Sequence, residues 1–196
     1  MLSMLAAMLI VGIIDNYVVV LAAHGGLWQF HSMRTLMALP VFALLAFLGV
    51  GQLRPKRFKA VVLRSVLMAM AMVLYFGCLA FLPLAQVLAG LFTSPIFVML
   101  LSVVFLGQKI GKWQILAVTI GFSGSLLVLQ PDPAKLGLLT FLPVVAGLFY
   151  GTSALITRTL CAQEDTITLL FAFFIVLGSF GGVGLIILGL YPQDVP

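Results

Sequence analysis

Residues 83–129 read PLAQVLAGLFTSPIFVMLLSVVFLGQKIGKWQILAVTIGFSGSLLVL. Two apolar runs, 84–106 and 113–130, flank a turn from Gly107 to Lys112, and the only charges are Lys109 and Lys112. A helix rises about 1.5 Å per residue, so roughly 20 apolar residues cross the ~30 Å hydrocarbon core of a bilayer. Each run is of that order. The stretch predicts two transmembrane helices joined by a tight basic loop, and the rest of the chain extends the pattern.

Further runs of the same kind are readable at about 2–22, 32–50, 62–81, 137–157 and 167–190. They are parted by His24-Gly25-Gly26, Arg54-Pro55-Lys56-Arg57, Phe81-Leu82-Pro83, Pro131-Asp132-Pro133 and the stretch from Cys161 to Asp165. Each break holds the glycine, proline or charge that ends a helix. The first run lacks a basic leader region, exceeds the usual signal-peptide core and contains Asp15, so it is read as a span. The expected fold is an all-α polytopic membrane protein with about seven transmembrane helices.

Composition excludes the other classes. Of 196 residues, 63% are hydrophobic and 8% charged, with a mean hydropathy of +1.28; an ordinary soluble domain carries about 25% charged residues. Ten basic and five acidic side chains could not cover a soluble globule of 21.1 kDa. A sequence pI near 9.6 does not indicate a nucleic-acid partner, because the basic residues gather in short loops between apolar runs. Cys78 and Cys161 have no framework spacing, and His24 and His31 have no HExxH or CxxC partner. No metal or cofactor is expected, and both histidines read as interfacial polar residues. There is no GxSxG, no Walker loop and no histidine at the depth of Ser94, so no catalytic residue is assigned and the chain does not read as an enzyme.

Lysine and arginine set the orientation. With a cytoplasmic N-terminus, Arg54, Lys56, Arg57, Lys59, Arg64, Lys109, Lys112 and Arg158 fall inside, and only Arg34 and Lys135 fall outside. This positive-inside bias places the N-terminus in the cytoplasm of a cell with the chain in its inner membrane, and an odd helix count puts the C-terminal tail outside.

Polar groups within the spans are the candidate site. Asp15, with Asn16 and Tyr17, lies inside the first run, where a lone carboxylate costs a few kcal/mol unless it faces a cavity, carries a proton or meets a cation. Arg34 is the nearby candidate partner; alternatively it snorkels to the headgroups. Gln86, Gly90, Thr93, Ser94 and Phe97 recur on one face of the fourth helix. Pro95 withholds a hydrogen bond from the Leu91 carbonyl, marking a hinge and a cavity wall. The same stripe also reads as interhelical hydrogen bonding, at about 0.6–2 kcal/mol per contact. Met68, Met72 and Tyr75 form a stripe on the third helix, with Tyr75 bringing a hydroxyl; Tyr150, Ser153 and Thr157 form one on the sixth. Gly178 with Gly182, and Gly121 with Ser125, read as small-residue packing pairs.

Sliding the first run onto the sixth by about 137 residues brings Asn16 to Ser153 and the second helix to the seventh, in opposite membrane orientations. With this repeat in hand, residues 83–129 resemble the end of an EamA-type repeat of the drug/metabolite transporter superfamily. The short Leu-Pro loop, the small-residue helix with a central proline, the LG turn before a basic loop and the Gly-rich helix carry the likeness, and RSVLMAMAMVLYFGCLA, 64–80, fits the preceding helix. DNY and FHSMR near the start resemble members that carry metabolites such as S-adenosylmethionine. The resemblance implies a five-helix repeat over 1–130, the first two helices of an inverted second repeat over 137–190, and alternating access by a secondary carrier. It places Asp15, Tyr75, Gln86, Ser94, Tyr150 and Ser153 on cavity-facing helices. Gln108 departs from the glutamate usual after the LG turn, and three helices of a second repeat are not present, so a partial carrier is expected. The expected function is secondary transport of a small metabolite, amino acid or drug-like solute, with lipid as the surrounding partner and a second copy or partner chain supplying the missing helices. The alternatives are a non-transporting membrane subunit or scaffold, and an inactive product of a shortened gene.

Overall fold

The computed structural model describes residues 26–49, 51–130, 139 and 141–190. Its helices are α1 (Leu27–Phe47), α2 (Phe58–Cys78), α3 (Leu84–Leu91), α4 (Ser94–Leu106), α5 (Lys112–Leu129), α6 (Phe141–Thr159) and α7 (Thr166–Leu190). The helices α3 and α4 form one rod, so the described residues make six rods. Five are long and apolar enough to cross a membrane: Trp28–Phe47, Phe58–Cys78, Leu84–Leu106, Phe141–Thr159 and Thr166–Ile187. The fold class is therefore all-α and polytopic. The expected first span, 2–22, lies outside the described residues, as do Asp15, Asn16, Tyr17 and His24.

Local chemistry explains the helix ends. At the LG turn α4 stops on Gly107, whose φ of 61° is left-handed and favours glycine. There the Gln108 N–H reaches back to the Ser102 carbonyl at 3.2 Å, closing the last turn. The α3–α4 rod is interrupted at Phe92 and Thr93. Pro95 lies in the first turn of α4, where a missing N–H breaks no ladder, instead of in a continuous helix interior. The Thr93 hydroxyl donates to the Gly90 carbonyl at 2.6 Å across the step.

Packing follows small residues. Lipid tails are as apolar as leucine, so membrane helices associate by close approach and hydrogen bonding more than by hydrophobic burial. α6 lies between α2 and the α3–α4 rod, α7 lies between α1 and α2, and α5 borders α3. Along the α6 seam Gly90 faces Pro143, Gly147 faces Thr93, and Gly151 faces the Ser94 carbonyl, so the two rods run parallel. Along the α1–α7 seam Thr35 meets Gly178, Ser32 meets Gly181, and Trp28 meets Gly184, so these helices run antiparallel. The glycine pairs read from sequence are corrected here: Gly182 and Gly121 face open space, and Gly178, Gly181 and Gly184 make the seam. Two buried clusters, Val61 with Cys161 and Leu169, and Ala69 with Phe173 and Leu177, join α2 to α7 and the loop before it. Leu36, Met37, Val104, Phe105, Trp113, Ile120 and Leu127 are exposed, as lipid-facing side chains are.

Helix α1 begins five residues before the expected run, and this changes the reading of His31. His31 is fully buried, with ring contacts to Phe30 at 5.5 Å and Phe76 at 5.3 Å, and is not interfacial. The polar FHSMR stretch resembles a loop on paper, but its polar side chains turn toward neighbouring helices. The helix α2 starts at Phe58, four residues before its expected run, and Arg64, which that run already contained, is a half-buried helical residue.

The two loops at one end are fastened by carboxylates. Glu164, between α6 and α7, accepts the backbone N–H of Lys56 at 3.0 Å and of Arg57 at 2.6 Å, satisfying donors at the N-terminus of α2. Glu164→Ala is expected to cost about 1 kcal/mol, the usual net worth of a hydrogen bond, read as a lower thermal midpoint in detergent. Asp165 accepts the N–H of Gln52 at 2.9 Å and of Ile167 at 3.2 Å, and Thr168 donates to the Gln52 carbonyl. The Gln52 amide, then the Ile167 amide, hold the Asp165 carboxyl below its ordinary value of 3.8. A depressed carboxyl contributes stability that is complete above that ordinary value and is lost as pH falls through the lowered one. The contribution of Asp165 is thus expected to be constant from neutrality down to about pH 5 and to vanish under stronger acid. Comparing the acid unfolding of the native chain with Asp165→Asn measures it.

Candidate functional site

The sixth helix of the expected pattern, α6, carries the polar face that best forms a site. It has Gly147 and Gly151 on one side against α3–α4, and Tyr150, Ser153 and Thr157 toward α2. Helical spacing of three and four puts the latter group on one stripe. They line a groove of about 270 Å³ with Arg64, Met68, Ala154 and Arg158.

Arg64 ties the groove together. Its Nε donates to the Thr157 hydroxyl at 3.1 Å and its Nη1 to the Leu169 carbonyl at 3.0 Å, joining α2, α6 and α7. The Ser153 hydroxyl donates to the Arg64 carbonyl at 3.1 Å, and Thr157 passes its own proton to the Ser153 carbonyl at 2.8 Å. Ser153 is buried, while Tyr150 and Thr157 are half-buried and Arg158 is exposed. The arrangement offers fixed hydroxyls and two guanidinium groups beside the apolar Met68 and Ala154. It can hold a polar solute group, and among the described residues it has no nucleophile–base pair.

Of the residues singled out from sequence, Tyr150 and Ser153 meet here. Gln86 and Ser94 are buried, with Ser94 in the seam against α6 and its carbonyl facing Gly151. Tyr75 stands farther along α2 with its ring edge-on to Phe76 at 5.1 Å. Pro95 faces away, in an apolar groove of about 360 Å³ shared with Phe92, Ala117 and Phe122. The Arg34 guanidinium sits 5.5 Å from the centre of the Phe174 ring on α7, a cation–π geometry. Asp15, its expected partner, lies outside the described residues with Asn16 and Tyr17. Arg64 and Arg158 were missed as site residues because both were weighed only as inner-side charges that set the orientation. The signal was available for Arg64: it opens the apolar run RSVLMAMAMVLYFGCLA, where a charge inside a span needs a partner.

Comparison with known proteins places the chain in a family. Residues 1–130 match the EamA-like transporter family, and the chain belongs to it. A riboflavin transporter of Rhizobium johnstonii is 34% identical over 149 residues, covering 75% of this chain and 48% of that protein. A riboflavin transporter of Vibrio cholerae is 29% identical over 162 residues, 78% of this chain and 54% of that protein. The pseudopaline exporter CntI of Pseudomonas aeruginosa is 29% identical over 117 residues, 58% of this chain and 40% of the exporter. The chain spans about half the length of the curated relatives it matches most fully. No solved structure matches. The chain is an integral membrane protein of a transporter family.

Proposed function

We propose that the chain acts in secondary transport of a small metabolite across the cytoplasmic membrane by alternating access, with riboflavin the first solute to test. The observation that carries this reading is the family match over 1–130, joined to a hydroxyl- and guanidinium-lined groove in an otherwise apolar bundle. An inverted second repeat is supported by α1 and α7, the two helices related by the shift of about 137 residues, which run antiparallel. The basic end faces the cytoplasm in this reading: the loops bearing Arg54, Lys56 and Arg57 are clasped to the loop after Arg158, and the parallel α4 brings Lys109 to the same end. In this reading a second copy or a partner chain contributes helices to the wall opposite the groove. Asp15 carries the coupling proton.

The test is accumulation of radiolabelled riboflavin by bacterial cells that lack their own uptake system. Expression of the chain is expected to raise accumulation. Asp15→Asn is expected to remove its dependence on external pH while leaving the amount of inserted protein unchanged. No gain over empty cells would remove riboflavin, and a mutant with the native pH profile would remove Asp15 from coupling.

A further inference from the structure

The groove between α2 and α6 carries positive charge that the described protein does not neutralise. Arg64 has five N–H donors, and its two protein bonds go to neutral oxygens, the Thr157 hydroxyl and the Leu169 carbonyl. No carboxylate pairs with it among the described residues. Glu164 is engaged by the amides of Lys56 and Arg57, and Asp165 by those of Gln52 and Ile167. Arg158 lines the same groove as a second cation. Its place in the last turn of α6 suits the helix dipole. That does not account for two guanidinium groups meeting at one groove. An ionised side chain within a span ordinarily pairs or lines a wet cavity, and a cleft of one sign concentrates the opposite ion.

We propose that this groove binds an anionic group, a carboxylate or a phosphate, and that the group belongs to a solute being carried; riboflavin bears neither group, so the site implies an anionic solute in addition to it or in its place. Arg64, held in place by its bonds to α6 and α7, presents its remaining donors to the anion; a planar guanidinium fits either oxyanion in a forked manner. Arg158 adds charge at the open side, the Tyr150 and Thr157 hydroxyls add polar contacts, and Met68 and Ala154 receive the apolar body of the solute. The identity of the anion as a transported solute rests on the carrier reading above. A phospholipid headgroup offers the same chemistry and is the competing source.

The test reads charge preference at the groove without needing the solute. Ala154→Cys is introduced after Cys78→Ala and Cys161→Ala, and the protein is held in a neutral maltoside detergent. Rates of modification by a sulfonate-bearing and a trimethylammonium-bearing methanethiosulfonate are each divided by the rate with a free thiol. The anionic reagent is expected to be favoured about tenfold, the lower end of what a charged cleft achieves. Arg158→Gln is expected to reduce the preference and Arg64→Gln to abolish it, with Arg64→Lys retaining part. A ratio of one, or one favouring the cation, overturns the site; so does a preference that survives Arg158→Gln combined with Arg64→Gln. Should Arg64→Gln not fold, Arg158→Gln and competition by inorganic pyrophosphate decide, since pyrophosphate must slow the anionic reagent if the site exists. Nanodiscs separate the sources: a preference present in phosphatidylcholine and lost with phosphatidylglycerol identifies a lipid headgroup and overturns the solute assignment. A preference kept in both, and suppressed by pyrophosphate, supports it. Failure of riboflavin uptake leaves these rates unchanged, so the two readings fail separately.

Discussion

Replacing Gly90 by alanine is expected to separate the α3–α4 rod from α6 and to lower the thermal midpoint of the detergent-solubilised protein sharply. A Cβ at Gly90 would stand 2.3 Å from the Pro143 Cβ, 2.8 Å from the Pro143 carbonyl carbon and 3.0 Å from the Val144 nitrogen. Two of those atoms are backbone and the third is fixed in a ring, so no rotamer change makes room. Overpacking of a tight contact costs about 1–3 kcal/mol, and a rigid partner puts this site at the upper end. Gly182→Ala is the control: a Cβ there meets nothing within 4 Å. It is expected to be neutral or mildly stabilising, because alanine is the better helix former by about 1 kcal/mol. Equal midpoints for the two variants would mean that α3 does not lie on α6 as described.

The second large effect is a size exchange across α1 and α7. Gly178→Ala would set a Cβ 2.5 Å from the Thr35 Cγ2 and 3.1 Å from its Oγ1 and Cβ, and is expected to cost about 1–3 kcal/mol. Here the obstruction is entirely side chain. Thr35→Ala removes the Cγ2 and Oγ1, so the double variant is expected to recover part of the loss. The recovery is incomplete, because the Thr35 hydroxyl also donates to the His31 carbonyl at 2.9 Å. A coupling of at least about 0.5 kcal/mol between the two sites, read from a thermal double-mutant cycle, is the expected result. Additive losses would show that the two helices do not meet at this pair.

Spans were legible because bilayer thickness imposes one length on every crossing helix, and the turn at Gly107 and the basic loops were legible for similar local reasons. The small-residue character of the helices was legible too, yet the contacting glycines were not. Gly178 and Gly182 satisfy a four-residue spacing, yet it is Gly181 and Gly184 that meet Ser32 and Trp28 of α1 and continue the seam. Tyr150, Ser153 and Thr157 stood out as a stripe, and the structure aims that stripe at α2. Arg64 was placed inside the expected run 62–81 but weighed only as an inner-side charge. Its ties reach Thr157 and Leu169, residues 93 and 105 positions away, and no local pattern encodes them. Gly90, Thr93 and Ser94 of the fourth-helix stripe lie against α6, the packing alternative that the sequence had left open.

The most direct measurement is riboflavin uptake into proteoliposomes by the native chain and by Ala154→Trp. Ala154 is exposed and lines the α2–α6 groove, so an indole there fills the groove without entering a packed seam. The account predicts uptake above empty vesicles for the native chain, and loss of that uptake in Ala154→Trp at an unchanged thermal midpoint. Native uptake no greater than that of empty vesicles, or equal uptake by the two proteins, would contradict it.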